Sequence, residues 1–410
     1  MDQKKLHKTI ESIASQKFNS EEDMLKYVLE QIVNDKSFEI TGGRIWKLDP
    51  ETHSYKLLYQ TGKMETIDPR FRIRLKNYPE FDRIANERTI LADETLTELK
   101  KKGIFRYSAT GVGSRIKLNG KIYYEYILAL NSNSLDEEFR LNMSIIATAL
   151  TSQIRQRRIL QSASNLKADL DKARQLQKSI LPEHEYKFHN YDIFGVTDPA
   201  EIVGGDFFDY LEIGDDQDRL GVALGDAASK GVSAAAEAMY ISGALRMASN
   251  FEIKITPLMK KMNQLVNKIF EDDKFSSLFY GELSTDKNGL FLYTNAGHNP
   301  PLFYSSKKNK VEYLLVTGPV LGPVPHAKYQ IESINILPGD ILLMFSDGIV
   351  DSTNSKGEPY PEVRLINLLK NNKSKSPKEI ALKILDDVLR FNKNGTYSDD
   401  KTLVVIKRNE

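Results

Sequence analysis

The run Val203-Gly204-Gly205-Asp206-Phe207-Phe208-Asp209-Tyr210 sets two carboxylates, Asp206 and Asp209, around an aromatic pair and behind a pair of glycines. A Gly-Gly before an aspartate is, on its own, an ordinary turn leading into a strand. Three more acidic stretches follow in the same half of the chain: Gly225-Asp226-Ala227, Phe345-Ser346-Asp347-Gly348 and Ser398-Asp399-Asp400-Lys401. Each lies at the start or end of an apolar, strand-like run. Carboxylates collected from several strand ends are suited to hard divalent cations, which take oxygen ligands.

The elements that must position these groups are legible from apolar patterning. Arg219–Leu224 reads as a short strand delivering Gly225-Asp226, and the small residues Ala227-Ala228-Ser229-Lys230-Gly231 turn the chain into a helix over roughly 232–248. An aspartate there can be a helix cap, but a turn of small residues also leaves backbone carbonyls free to face a cation. Ser277–Leu283 and Leu290–Asn295 form a hairpin across Asp286-Lys287-Asn288-Gly289, and the second strand runs into Asn295-Ala296-Gly297-His298-Asn299-Pro300-Pro301. His298 is either a general acid or, as is commoner for a loop histidine, a structural hydrogen-bonding residue. Ile341–Phe345 is a continuous apolar run that reads as a buried strand ending at Asp347-Gly348. Thr402–Ile406 is a final strand introduced by Asp399-Asp400.

Composition narrows the function classes. A chain of 410 residues suggests two or three domains, each with its own core. A formal charge of +1 provides no global field for nucleic acid or an anionic membrane. With no cysteine, thiol catalysis, disulfides and cysteine-bound metals are excluded. The N-terminus lacks the apolar core of a signal peptide, and no apolar run approaches the roughly 18–20 residues that span a bilayer. The expectation is a cytoplasmic protein.

The front of the chain has a different rhythm. Residues 3–16 read as an amphipathic helix, and Asn19-Ser20-Glu21-Glu22 caps a second one whose end is expected at Gly42-Gly43. Strands over Arg44–Leu48 and Tyr55–Tyr59, a helix over Tyr78–Glu87, and a hairpin of Gly113–Leu118 with Tyr123–Leu130 around Asn119-Gly120 follow, and a long helix begins at Leu135. The stretches GGRIWKLDPETHSYKLL, VGSRIKLNGKIYYEYILALNS and LDEEFRLNMSIIATAL, in this order of helix, hairpin, helix, hairpin and helix, resemble a GAF domain over about residues 17–153. That resemblance implies a module that binds a small-molecule or protein activator or mediates dimerisation. His53 sits in a turn and reads as solvent-exposed. Beyond it, Ile159, Ala163, Leu166, Leu170, Ala173, Gln177 and Ile180 alternate by four and three, a heptad seam stopped at Pro182. It is read either as one amphipathic helix on its own chain or as a weak parallel coiled coil making a homodimer; the second is preferred because an isolated apolar stripe needs a partner.

In the second half, QKSILP (177–182), VGGDFFDY (203–210), GDAASKG (225–231), NAGHNPP (295–301), LPGDILLMFSDGIVDS (337–352) and DDKTLVVI (399–406) match in order the motifs of the SpoIIE-type branch of the PPM metal-dependent serine/threonine phosphatases. The resemblance covers about residues 175–408. It implies a fold of two antiparallel sheets flanked by helices and two Mn²⁺ or Mg²⁺ ions. It makes Asp206, Asp226, Asp347 and Asp399 the catalytic metal-site carboxylates, with the Ala227 carbonyl as backbone ligand and Asp400 as a further or supporting ligand. Ser229 and Ala227 depart from the commoner residues of that turn. The motifs hold no arginine to clamp phosphate, and Lys230 is the nearest cation in sequence. The expected protein is α+β: a GAF-like domain (1–153), a coiled-coil linker helix (154–182) and a PPM-type α/β sandwich (183–410). Its expected substrate is a phosphorylated anti-sigma-factor antagonist of STAS type, with the front domain in control. The alternatives are a non-catalytic sensor that only binds its partner and a phosphatase of small phosphoesters.

Overall fold

The computed structural model describes residues 3–35, 39–132, 134–214, 218–270, 274–395 and 399–409, so Ser398 of the last acidic stretch lies outside the described residues. The chain divides into two units, Met1–Asn165 and Leu166–Glu410.

In the first unit, α1 (Gln3–Ser15) and α2 (Glu21–Val33) precede the sheet. Ser20 caps α2, its hydroxyl accepting from the Asp23 N–H at 3.0 Å. The helix stops at Asn34. Gly42 and Gly43, expected to end it, lie instead inside β1 (Ile40–Asp49). A Cβ on Gly43 would stand 2.5 Å from Leu29 Cδ1, so the glycine is where α2 packs closest to the sheet. There follow β2 (Ser54–Gly62), β3 (Arg72–Arg74), α3 (Glu80–Glu87), β4 (Thr89–Asp93), α4 (Thr97–Lys100), β5 (Arg106–Leu118) and β6 (Lys121–Ser132). Asn119 and Gly120 both take positive φ, 50° and 81°, the requirement of a tight two-residue hairpin. The strands form one sheet in the order β3-β2-β1-β6-β5-β4. Leu25, Val28 and Leu29 of α2, with Ile146 and Leu150 of α5 (Glu137–Ile180), bury one face against Ile45, Leu128 and Leu130. Phe81, Ile84 and Leu99 bury the other face against Trp46, Tyr55 and Ile127. On α5 the seam residues Ile159 and Leu166 are exposed, whereas Gln177 is buried.

In the second unit, β7 (Glu185–Phe188), β8 (Tyr191–Asp198), β9 (Asp206–Ile213) and β10 (Arg219–Ala227) lead to α6 (Gly231–Ser249) and α7 (Ile255–Ile269). Then come β11 (Ser276–Ser284), β12 (Leu290–Ala296), β13 (Leu302–Ser305), β14 (Lys310–Tyr313), β15 (Glu332–Asn335) and β16 (Ile341–Phe345). A single turn, α8 (Asp347–Val350), precedes α9 (Glu362–Asn371), α10 (Pro377–Phe391) and β17 (Lys401–Arg408). Two antiparallel sheets result, β15-β12-β11-β10-β9 and β14-β13-β16-β17-β8-β7. Their inner faces meet through Phe208, Val222, Leu224 and Phe279 on one side and Leu342, Met344, Val404 and Ile406 on the other. α6 and α7 cover the outer face of the first sheet, and α9 and α10 that of the second. This is the expected sandwich. Central strands such as β16 are apolar throughout because both faces of the sheet are buried there, whereas the edge strands β14 and β15 carry exposed polar residues.

Candidate metal centre

β9 and β10 are paired so that Asp206 stands opposite Asp226. Strand register alone therefore brings together two carboxylates that are twenty residues apart in sequence. The second sheet contributes the other two. β16 and β17 pair Phe345 with Leu403, and just beyond that pair the Ser346 N–H donates to the Thr402 carbonyl at 3.0 Å. The Ser346 hydroxyl accepts from the Thr402 N–H at 3.0 Å and donates to the Asp400 carbonyl at 3.1 Å. A Cβ on Gly348 would lie 2.0 Å from that same carbonyl oxygen. The Ser-Asp-Gly and Asp-Asp-Lys segments are thus locked side by side, which carries Asp347 and Asp399 to the edge where Asp226 sits.

The electrostatics record this proximity. Burial, then the charges of Asp347, Asp399 and Asp400, pushes Asp226 up to about 8. Burial, then Asp226 and Asp400, pushes Asp206 well above the usual carboxylate range. Asp347 is raised by burial, then by Asp399 and Asp351. Gathering like charges in a poorly solvated place is unfavourable unless a cation offsets them. Lys401, buried beside the cluster, donates from Nζ to the Asp399 carbonyl at 3.0 Å and offsets part of that charge.

The fit to divalent ions rests on three further features. Asp206 Oδ2 is buried with no hydrogen-bond partner. A Cβ on Gly205 would stand 2.8 Å from the Ala227 carbonyl oxygen and 3.2 Å from Asp226 Oδ1, so the glycine keeps open the space that those two oxygens face. The donor set is oxygen throughout, as hard cations require. No group of three or more His, Cys, Asp or Glu side chains among the described residues closes into a cage for one ion.

Asp400 has a different placement from the other carboxylates. Its Oδ2 accepts from the Gly205 and Asp206 N–H groups at 2.6 and 3.3 Å, and its Oδ1 from the Ala200 N–H at 2.8 Å. A Cβ on Gly204 would fall 2.1 Å from that carboxylate. Asp400 therefore holds the loop that presents Asp206. Asp209 is not brought to the centre. Side chains three apart on a strand point to opposite faces, so Asp209 faces α6, where Arg246 donates from Nε to Oδ2 at 2.6 Å and Ser242 adds a bond at 3.0 Å. His298 is buried in the interior. Its Nδ1 pairs with Ser277 Oγ at 2.7 Å, and burial lowers it to about 4, so the ring is neutral at physiological pH. Ser229 donates to Glu237 of α6 at 2.8 Å, so the serine in that turn ties it to the helix.

One residue of the site was read differently from sequence. Gln177, placed on the coiled-coil seam, donates from Nε2 to the Gly204 carbonyl at 2.7 Å, and its Oε1 accepts from the Gly204 N–H at 3.2 Å. Close by, Arg246 donates to the Ile180 carbonyl at the end of α5 as well as to Asp209. The signal available in sequence was a glutamine interrupting the seam a few residues before Pro182.

Two facing antiparallel sheets flanked by helices, with aspartates gathered from both sheets at one edge, define a phosphatase fold of the PPM, or PP2C, class. The SiaA-PP2C domain of Pseudomonas aeruginosa has this fold: it superposes with a TM-score of 0.51 at 18% identity, covering 61% of this chain and 99% of that domain. Residues 216–409 match the family of Stage II sporulation protein E (SpoIIE). Protein IcfG of Synechocystis is 28% identical over 268 residues, covering 59% of this chain and 42% of that protein. Phosphoserine phosphatase RsbU of Bacillus subtilis is 26% identical over 244 residues, covering 59% of this chain and 71% of that protein. The chain thus spans less than half of the first relative and about seven-tenths of the second.

Proposed function

We propose that this chain is a metal-dependent protein serine/threonine phosphatase of bacterial signalling. Its substrate is a phosphorylated anti-sigma-factor antagonist of STAS type. The observation that carries the reading is the convergence of Asp206 and Asp226 from one sheet with Asp347 and Asp399 from the other. Asp206, Asp226, Asp347 and Asp399, with the Ala227 carbonyl, would hold two Mn²⁺ or Mg²⁺ ions, and Asp400 supports them through the loop. Such ions supply Lewis-acid catalysis and an activated water for in-line attack on phosphorus. The chain's own contribution is to fix the carboxylates on strand ends, keep the Gly205 side of the centre open and exclude a competing side chain there. The likeness to a phosphoserine phosphatase supports the substrate class.

The division we propose is a GAF-like sensor over 1–153, a linker helix over 154–182 that dimerises as a coiled coil, and the phosphatase domain over 183–410. An activator at the front domain would act through the linker. The linker meets the catalytic unit at two points: Gln177 on the Gly204 backbone, next to the metal loop, and the Ile180 carbonyl, which accepts from Arg246, the residue that also holds the Asp209 carboxylate on β9. We place the protein in the cytoplasm, acting on a protein and not on nucleic acid or a membrane. Among the described residues no helix is long and apolar enough to cross a bilayer.

The test is phosphate release from a phosphoserine-bearing antagonist by the full chain, with and without Mn²⁺. Metal-dependent release that disappears in Asp226→Asn and Asp347→Asn, with folding retained, is expected. Equal turnover in either variant would overturn the site, and release confined to small phosphoesters would overturn the substrate.

A further inference from the structure

Helix α6 packs on β9 and β10 through small and apolar residues: Ala238 and Ile241 lie in one cluster with Phe207 and Ala223, and Ala234 and Ala235 are buried beside them. The same helix also buries a carboxylate. Glu237 is 7% exposed. A carboxylate taken out of water is costly unless donors surround it. The segments from which Glu237 draws its donors therefore show what it holds.

Three donors converge on one of its oxygens. Oε1 accepts from the Ser229 hydroxyl at 2.8 Å and from the Ser233 hydroxyl at 3.2 Å, and it lies 3.1 Å from the Lys274 ammonium. Lys274 donates in turn to the Ser233 hydroxyl at 3.1 Å. Oε2 is buried without a partner. Both oxygens of a carboxylate accept hydrogen bonds, so crowding three donors on one and leaving the other bare is a poor arrangement for stability alone. Two of the donors belong to the segments that frame the Ala227 carbonyl. Ser229 stands two residues beyond it in the same turn. Lys274 precedes Phe275, whose carbonyl accepts from the Ala228 N–H at 3.0 Å. The next residue, Ser276, is paired with Ala227 and donates from its hydroxyl to the Asp226 carbonyl at 2.8 Å. The turn is thus tied downstream through Ser229 and alongside through 274–276, and both ties end on Glu237. On its other side a Cβ on Gly205 would stand 2.8 Å from the Ala227 carbonyl oxygen and 3.2 Å from Ala234 Cβ, so a shift of the turn or of the start of α6 alters the space beside Gly205 directly.

We infer that Glu237 is a positioning residue of the metal centre. By drawing Ser229 and Lys274 onto one oxygen it fixes the turn that presents the Ala227 carbonyl, and so sets the affinity of the centre for its ions. This rests on the reading of the centre as a divalent-ion site and adds to it a residue that touches neither ion nor substrate.

The probe is Mn²⁺ alone, titrated into the full chain and followed by the paramagnetic resonance signal of the free ion, with the melting temperature of the metal-free chain measured in parallel. Glu237→Ala should weaken Mn²⁺ binding by about 10–100-fold, the scale for losing a group that orients a ligand, with the number of ions bound at saturation unchanged. Ser229→Ala removes one donor from a half-buried position and leaves the other two on Glu237. It should weaken binding by roughly two- to tenfold, the loss of one hydrogen bond, and it carries the test should the glutamate variant fold poorly. Glu237→Gln keeps an acceptor for both hydroxyls and loses only the ion pair with Lys274, so it should recover most of the affinity lost in Glu237→Ala. A carboxylate with a structural role alone would move the melting temperature and leave Mn²⁺ binding where it was. Unchanged Mn²⁺ affinity in either folded alanine variant would therefore overturn the inference while the metal centre stands. No Mn²⁺ binding by the wild-type chain would overturn the metal centre, and the inference with it.

Discussion

Replacing Gln177 with alanine tests whether the end of α5 sets the affinity of the metal centre. The substitution removes both hydrogen bonds to Gly204, at 2.7 and 3.2 Å, and leaves a backbone N–H and a backbone carbonyl without partners beside a side chain that was only 9% exposed. Each buried group left unsatisfied costs about 1–3 kcal/mol. Partial entry of water at the helix end puts the sum near the lower bound, about 2 kcal/mol. For a unit of this size that lowers the melting temperature by roughly 4–8 °C. The larger consequence is local. Gly204 and Gly205 precede Asp206, and loss of a group that orients a ligand costs about 10–100-fold in metal affinity. Phosphate release measured against Mn²⁺ concentration should therefore show a half-saturation point shifted upward by about 10–100-fold, with turnover at saturating metal close to wild type. Gln177→Glu keeps the acceptor for the Gly204 N–H but loses the donor, and should fall between the two. A lowered melting temperature with an unchanged metal dependence would refute the reasoning, because it would make Gln177 a packing residue only.

Other expectations follow from the same geometry. Gly205→Ala places a methyl 2.8 Å from the Ala227 carbonyl oxygen and 3.2 Å from Asp226 Oδ1; it should cost about 1–3 kcal/mol and abolish metal-dependent turnover, and full activity would show that the space is not used. Asp226→Asn removes a carboxyl that, raised to about 8 in the metal-free fold, must take up a proton on folding at neutral pH. The metal-free variant should melt a few degrees above wild type by calorimetry, roughly 1 kcal/mol or more, and a lower melting temperature would argue against that cost. Arg246→Met leaves Asp209, 1% exposed, unpaired and should destabilise the second unit by about 3–5 kcal/mol in urea unfolding, with Asp209→Asn in the same background restoring much of the loss. For His298, held at about 4 against an ordinary 6.5, the unfolded chain binds the extra proton first, so its contribution to stability is present at neutral pH and is lost as pH falls from about 6.5 toward 4. That change amounts to about 3 kcal/mol. The urea midpoint of His298→Gln should accordingly fall less than that of wild type over this range, and parallel curves would exclude the histidine as the source.

Much of this was legible in the chain. Strand-end aspartates at 206, 226, 347 and 399 stood out because continuous apolar runs lead into or away from them, and such runs are what a two-layer sandwich demands of its strands. Asn119-Gly120 fixed a hairpin, since few residue pairs adopt two successive positive φ values. Gly42-Gly43 misled, because glycine serves both as a helix terminator and as a point of close approach between a helix and a sheet. Only the packing of Leu29 on Gly43 distinguishes the two.

By itself the sequence determined which carboxylates are candidate oxygen donors, the strand runs that carry them and that no cysteine is available for thiol chemistry. These are local properties, set by residue type and by patterns a few residues long. The tertiary structure decided which carboxylates meet. It turned Asp209 away to Arg246 through strand alternation, and it used Asp400 to hold the Gly204-Gly205 loop. It also moved Gln177 from a seam to the backbone of Gly204 and brought Ser229 and Lys274 to one oxygen of Glu237. Each of these depends on contacts between segments distant along the chain, whose pairing is selected by the burial of whole faces and leaves no mark in the spacing of any one segment.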